Sequence, residues 1–325
     1  MIACAKEPVT VVRYNAALQG EWDTFVAGCK NFTFLFLRAY IDYNPRFTDH
    51  SLLFYKGGKL VGALPANIDG DTLVSHGGLT YGGLLVGKGA SIASVAEMFA
   101  ALRRYHESET IVTKIVYSPV PHIYATYPAE EDLYMLFRSN ARIAARRISS
   151  VVWQGEPLPF STLRRRKVKL AEKAGFSIVC DNGYAAFWEV LQKNLQQVYG
   201  AQPVHSLDEM ELLAARFPQN IKLYRVVDEA GATVAGTVLY ITSRVARVQY
   251  IGSVTKGREN GALDLLFHHL VHKEWSHKEF FDFGTSVEEG GRYLNAGLIF
   301  QKEGFGGRAV VYDSYEFNIN DIPND

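Results

Sequence analysis

Several stretches of this chain carry side chains whose type and spacing could do chemistry. Asp282 follows the apolar residues Phe280 and Phe281 and precedes Gly284. That puts a carboxylate at the carboxyl end of a strand, the usual place for a site residue in an α/β sheet; it could equally cap the loop. Downstream, Arg292, Asn295 and Lys302 are spaced by three and seven residues. If this segment is helical they share one face, a cationic strip suited to a phosphate-bearing ligand or simply to water. Gln249 and Tyr250 sit in the apolar run of residues 245–253. On a strand they point to opposite faces, so one at most looks into a cleft, and Tyr250 is either a proton donor or core filling. A glycine-containing loop, residues 255–264, precedes a helical pattern and includes Arg258, Gly261 and Ala262; helix-terminal amides there could hold a phosphate, and an ordinary polar turn would look the same. In the first half, residues 75–83 hold four glycines among nine, with His76 and Tyr81 between them. Such a loop allows close backbone approach to a ligand, or forms a glycine-rich bulge. Finally, residues 164–169 contain five cations in six positions, some of which must face protein or a polyanion.

These residues need elements to hold them, and self-comparison supplies the frame. Gly62 and Gly236 stand 174 residues apart, and so do Gly78 and Gly252. Gly62 and Gly236 each lie in a strand-like run preceded by an apolar strand and a tight turn, Lys56-Gly57-Gly58-Lys59 and Asp228-Glu229-Ala230-Gly231. Helical periodicity follows near residues 91–107 and 261–275, then short strands at 111–117 and 279–283. The flanks extend the parallel. A strand at 9–14 and helical pieces near Trp22 and Tyr40 precede the first copy; a strand at 176–181 and helices at 184–199 and 206–217 precede the second. Ser206 reads as an N-cap with Glu209 completing a capping box and His205 beside it. A helix from Ser161 ends at Gly175. The reading is an α/β protein with mixed sheets, duplicated about a pseudo-twofold axis, with domains 1–155 and 156–325.

Composition narrows the function classes. The chain has 325 residues, 48% of them hydrophobic, enough for about two buried cores. Thirty-four basic and 34 acidic residues cancel, so there is no global field for DNA or an anionic membrane and any polyanion contact is local. Cys4, Cys29 and Cys180 are odd in number and widely spaced, which predicts reduced thiols and no metal site. No apolar run is long enough for a signal peptide or a span, and the expected location is cytoplasmic. No G-x-S-x-G elbow occurs, so a serine hydrolase triad has no support.

The order β, α, α, three-stranded meander, α, β, α, β resembles the GNAT acyltransferase domain, here twice. The second half is more specific. Phe281-Asp282-Phe283-Gly284-Thr285-Ser286, the run from Gly291 to Arg308 containing Lys302 and Phe305-Gly306, and Val310 to Phe317 resemble the C-terminal signature of the Fem-type (FemAB-like) tandem-GNAT peptidyltransferases and acetyltransferases. The basic segment Leu163 to Phe176 resembles the helix that opens the second domain in that family. The resemblance covers about residues 160–317; in the first half it is architectural. It implies transfer of an acyl group, acetyl among the candidates, from a coenzyme A thioester, or of an aminoacyl group from charged tRNA, to an amine. The acceptor would be a small molecule such as an amino-sugar precursor of the cell envelope. The family's cell-wall members carry a helical hairpin in the second domain, for which residues 200–220 leave no room, so the thioester is favoured over tRNA. Lys302 matches the family's transfer-step lysine, while Gln301 replaces the aromatic before it. Gln249, Tyr250 and Asp282 would stand near the chemistry. Arg258, Gly261 and Ala262 would hold the donor's phosphates, with Leu263 where a small residue is expected. Arg292, Asn295, His76 and Tyr81 would bind the acceptor. A non-catalytic module on the same fold is the third reading, and the oligomeric state is open.

Overall fold

The computed structural model describes residues 7–109 and 112–324; Cys4 and Ile111 lie outside the described residues. The chain forms two compact units, one running to Arg147 and resuming at Val311, the other spanning Ile148–Val310. This differs from the expected division at 155, and the reason is a strand pairing. The last strand, Arg308–Asn318, sets Tyr315 opposite Tyr117 and Phe317 opposite Ile115, antiparallel to Lys114–Tyr117 of the first unit. Local sequence periodicity carries no information about such a return.

In the first unit, Thr10–Arg13, Leu52–Lys56, Lys59–Leu64 and the short Leu85–Val86 make an antiparallel sheet in that order. Lys114–Tyr117 pairs parallel with Thr72–Val74, which forms a hairpin with Asn67–Asp69. The helix Ile92–Glu109 presents Val95, Met98, Phe99 and Leu102 at helical spacing, and these bury against Phe54, Leu64 and Tyr117.

The second unit orders its strands as Ser177–Cys180, Ile221–Val227, Thr233–Ile241, Val245–Ser253, Phe280–Thr285 and then residues 149–153. Its helices start where the sequence predicts. Ser161 caps Thr162–Lys173 by accepting from the Arg164 N–H, and Gly175 follows the helix at φ +68°. Ser206 and Glu209 form the capping box of Leu207–Arg216. The core gathers Phe267, Phe281, Phe283 and Phe305 beneath the sheet.

Pairing qualifies the repeat. Gly236 sits opposite Gly252, but Gly62 sits opposite Val86. Gly78 lies in an excursion between Thr72–Val74 and Leu85–Val86, so its spacing to Gly252 is coincidental while the first hairpins correspond. The expected helix through Arg292 is also absent. A short antiparallel pair, Val287–Glu288 with Tyr293–Leu294, comes first, and the helix begins only at Ala296. Among the described residues no helix is long and apolar enough to cross a membrane, and no group of His, Cys, Asp or Glu could hold a metal.

Candidate functional site

The second unit's sheet contains a fork. Val245–Ser253 runs parallel to Phe280–Thr285 only at Val245, Ala246 and Arg247, opposite Phe280, Phe281 and Asp282, and the two strands then part. On its other edge Val245–Ser253 stays paired with Thr233–Ile241, but Tyr250 faces Val238 while Val248 faces Leu239, leaving Gln249 as a bulge. A bulge of this kind bends a strand and re-aims its side chains. Between the parted strands lies a cavity of about 550 Å³. Phe267, Phe283 and Phe305 give it an apolar wall, and Arg247, Gln249, Arg258, Gln301 and Lys302 reach it with polar groups.

Lys302 projects from the helix Ala296–Gly304, and its Nζ donates to the carbonyls of Gly284 and Thr285, both at 2.8 Å. Burial pushes its pKa down to about 8; Asp282 works against this and Arg247 adds to it. Asp282 lies beneath the cavity, fully buried. Its carboxylate accepts from the Ser149 hydroxyl and, at 2.8 Å, from the Gly284 N–H, while the Arg247 Nε stands 3.6 Å away. Asp282 thus ties the turn whose carbonyls hold Lys302; it is a loop cap that positions the lysine and does not line the cavity. Gly284 adopts φ +74° there, a conformation glycine takes without strain. Arg247 in turn donates to the Gln249 side chain at 2.6 Å.

Other expected residues fall elsewhere. Tyr250 faces away from the cavity; it packs on Trp188, and its hydroxyl meets His205 Nδ1 at 2.5 Å and accepts from the His205 N–H. The core-filling alternative holds for it, and the bulge at Gln249 decides which neighbour faces inward. Arg258 lines the cavity, but its guanidinium also closes the strand end on the Ser253 carbonyl at 3.0 Å. Gly261 is required by packing: a Cβ there would collide with the Lys167 carbonyl. Ala262 is buried in the core. The loop therefore offers a donor one cation, Arg258, and no open glycine cradle. Arg292 is exposed in the turn before the helix, and Asn295 is that helix's N-cap, accepting from the Leu298 N–H at 3.1 Å; the shared cationic face with Lys302 does not exist. His76 and Tyr81 belong to the first unit and are buried, His76 at φ +53° against Phe47 and Tyr81 among Phe36, Tyr124 and Tyr312. In the basic segment Arg164 pairs with Asp264 at 3.0 Å and Lys167 holds the Glu259 carbonyl, while Arg165, Arg166 and Lys169 are exposed.

Arg247, Ser149 and the three phenylalanines were not expected. An arginine inside the mostly apolar run 245–253 was the available signal for the first; nothing local marks Ser149, which reaches Asp282 across 133 residues.

No protein-family model matches the sequence, and no curated protein matches it. Solved structures do resemble the fold. FemX matches with a TM-score of 0.66 at 13% identity, covering 97% of each chain. The C-terminal domain (DUF2156) assigned to a lysylphosphatidylglycerol synthetase from Agrobacterium fabrum gives 0.58 at 9% identity, over 93% of this chain and 92% of that one. A tandem GNAT protein of the clavulanic acid biosynthesis pathway gives 0.53 at 13% identity, over 98% and 100%. The chain has the Fem-like tandem GNAT fold.

Proposed function

We propose that the protein is an acyltransferase and that its second unit moves an acyl group, acetyl among the candidates, from a coenzyme A thioester to an amine. The observation that carries this reading is the cavity where Val245–Ser253 and Phe280–Thr285 part, with the Lys302 ammonium at the fork. Past Arg247 the inner edge of Val245–Ser253 has no strand partner among the described residues. An extended diamide such as a pantetheine arm can pair with such an edge as an added strand. Arg258 supplies a cation for the donor's phosphates.

The ammonium of Lys302 has three N–H groups, and two serve the carbonyls of Gly284 and Thr285. The third is available to the oxyanion that develops when the amine attacks the thioester carbonyl, in a largely apolar site where such a contact is strong. The N–C bond forms, the C–S bond breaks, and the proton lost by the amine ends on the departing thiolate. The products are an amide and a free thiol, with no nucleophilic side chain involved.

An acceptor bearing phosphate, such as an amino-sugar precursor of the cell envelope, is the finer reading, supported by the exposed cations Arg165, Arg166 and Arg292. A coenzyme A donor places the reaction in the cytoplasm. Aminoacyl transfer from tRNA is the second reading and rests on the Fem-type resemblance; the single helix Leu207–Arg216 between Tyr184–Tyr199 and Ile221–Val227 favours the thioester. Thermal unfolding with acetyl-coenzyme A and with charged tRNA separates them. Stabilisation by the thioester is expected, stabilisation by tRNA alone reverses the order, and stabilisation by neither leaves a binding module.

A further inference from the structure

Beside the donor cavity lies a second one of about 350 Å³, formed by Thr285, Ser286, Val287, Glu288, Asn295 and Leu298. Thr285 and Leu298 line both cavities, so a ligand in the second is next to the fork where Lys302 sits. Its walls are set by backbone geometry. Ser286 donates its N–H to the Ile148 carbonyl at 3.1 Å and accepts at its own carbonyl from Asn295, also at 3.1 Å. The Ser286 hydroxyl is left buried with no hydrogen-bond partner. A buried hydroxyl without a partner is costly, and a ligand oxygen that accepts from it removes that cost. At the outer side stands Glu288. Its carboxylate accepts from the neutral Asn295 amide at 3.2 Å and, among the described residues, meets no lysine or arginine.

We propose that this second cavity is the acceptor subsite and takes a primary ammonium on a hydroxyl-bearing molecule. The ammonium pairs with Glu288, and a neighbouring oxygen accepts from the Ser286 hydroxyl. This deepens the acyl-transfer reading and rests on it. A carboxylate at the entrance favours a charged amine over a neutral alcohol, which offers it no counter-charge. The ammonium passes one proton to the Glu288 carboxylate, and the free amine then reaches the thioester carbonyl past Thr285, which borders both cavities; its second proton leaves with the thiolate.

Glucosamine and glucose are the probes, since they differ in the ammonium group. Titration of the full chain with each, followed by calorimetry, is expected to show saturable binding of glucosamine and none of glucose. Glu288→Gln is expected to weaken glucosamine about tenfold, the scale of a charge-assisted hydrogen bond, and Ser286→Ala about threefold, with coenzyme A binding unchanged in both. Glucose binding as well as glucosamine, no binding of glucosamine, or indifference to Glu288→Gln overturns the subsite. Coenzyme A titration reads the acyl-transfer proposal separately. Glucosamine bound through Glu288 without coenzyme A binding keeps the subsite and removes the transfer, and the reverse keeps the transfer and removes the subsite.

Discussion

The two units build the same fork and finish it in opposite ways. In the first, Thr72–Val74 runs parallel to Lys114–Tyr117, as Val245–Ser253 does to Phe280–Thr285 in the second. At the last paired position the first unit sets Val74 against Val116, and the second sets Arg247 against Asp282. Beyond it the first fork is stitched. Ser75 donates its N–H to the Val116 carbonyl at 2.9 Å, Ser118 to the Ser75 hydroxyl at 2.8 Å, and Gly82 to the Ser118 carbonyl at 2.8 Å. The glycine-rich excursion that makes these bonds also drives Tyr81 against Tyr124, ring centroids 4.6 Å apart. In the second unit one bulged residue, Gln249, stands where the first unit spends that whole excursion, and the fork stays open. One copy of the fold has become packing and the other keeps a cavity with charge in it.

The charge pair is the sharpest place to break this comparison. Removing one partner of a buried ion pair leaves an uncompensated charge and costs about 3–5 kcal/mol, while an apolar pair of similar volume can be nearly neutral. Asp282→Val is therefore expected to destabilise by that amount and to loosen Lys302. The double variant Arg247→Val with Asp282→Val, which copies the first unit's pairing, is expected to be more stable than Asp282→Val. Urea unfolding of the parent, of Asp282→Val, of Arg247→Val and of the double variant measures both, and additive costs would show that the pair is not coupled.

Lys302→Met removes the ammonium without removing the side chain's bulk. Loss of one oxyanion donor of this kind lowers turnover by about 10²–10³-fold, and removing a polar group from the first unit's closed fork, by Tyr81→Phe, is expected to leave turnover within about twofold. The pKa near 8 gives the sign of the pH dependence. If the ammonium is the working form, turnover relative to Lys302→Met, which carries the acceptor amine's own titration, falls as pH rises through about 8; a relative rise there would make Lys302 a base. Steady-state rates with acetyl-coenzyme A from pH 7 to 9.5 decide between them.

In the first unit, Gly82→Ala puts a Cβ into the Ser75 carbonyl, so backbone must move. A loss on the order of 2–3 kcal/mol is expected, read as a lower urea midpoint, with turnover per folded molecule unchanged. Gly284→Ala is the counterpart in the second unit. There the Cβ would sit an ordinary 3.4 Å from the Val248 carbonyl, and the cost of about 1–2 kcal/mol comes from φ +74°. Because the Gly284 carbonyl holds Lys302, turnover is expected to fall with it, which separates the two glycines.

Local rules made much of this legible. The capping box at Ser206 and Glu209, the cap at Ser161 and the hairpin around Gly231 all follow from turn and cap chemistry acting over a few residues, whereas Asp282, expected at a strand's carboxyl end, is the third residue of Phe280–Thr285. Of the candidate residues read from the sequence, Lys302, Gln249 and Arg258 reach one cavity. What was hidden depends on pairing across long separations. The bulge at Gln249 turns Tyr250 away, the partner of Gly62 is Val86, and Ser149 meets Asp282 from another strand. The glycines at 77, 78 and 82 looked ready for a ligand, yet a Cβ at Gly78 would collide with Phe47 and one at Gly82 with Ser75 of the same unit. Glycine permits close approach without saying what approaches.

The smallest expected effects lie in pH, and the two units place them at opposite ends. His76 is held near pKa 4 by burial, with Asp49 opposing and Arg38 reinforcing. Its unfolded value is about 6.5, so between pH 6.5 and 4 the unfolded chain binds more protons and stability falls as pH drops. Lys302, near 8 when folded and about 10.4 when unfolded, binds fewer protons folded in the window between, so stability rises with pH there. Each slope is at most about 1.4 kcal/mol per pH unit for one proton. His76→Asn, a residue that tolerates positive φ, is expected to flatten the acid slope and leave the alkaline one, and Lys302→Met the reverse. Urea midpoints measured at pH 4.5, 6.5, 8 and 10 test both; if either variant flattened both slopes, the two forks would be titrating as one system and the division of labour between them would fail.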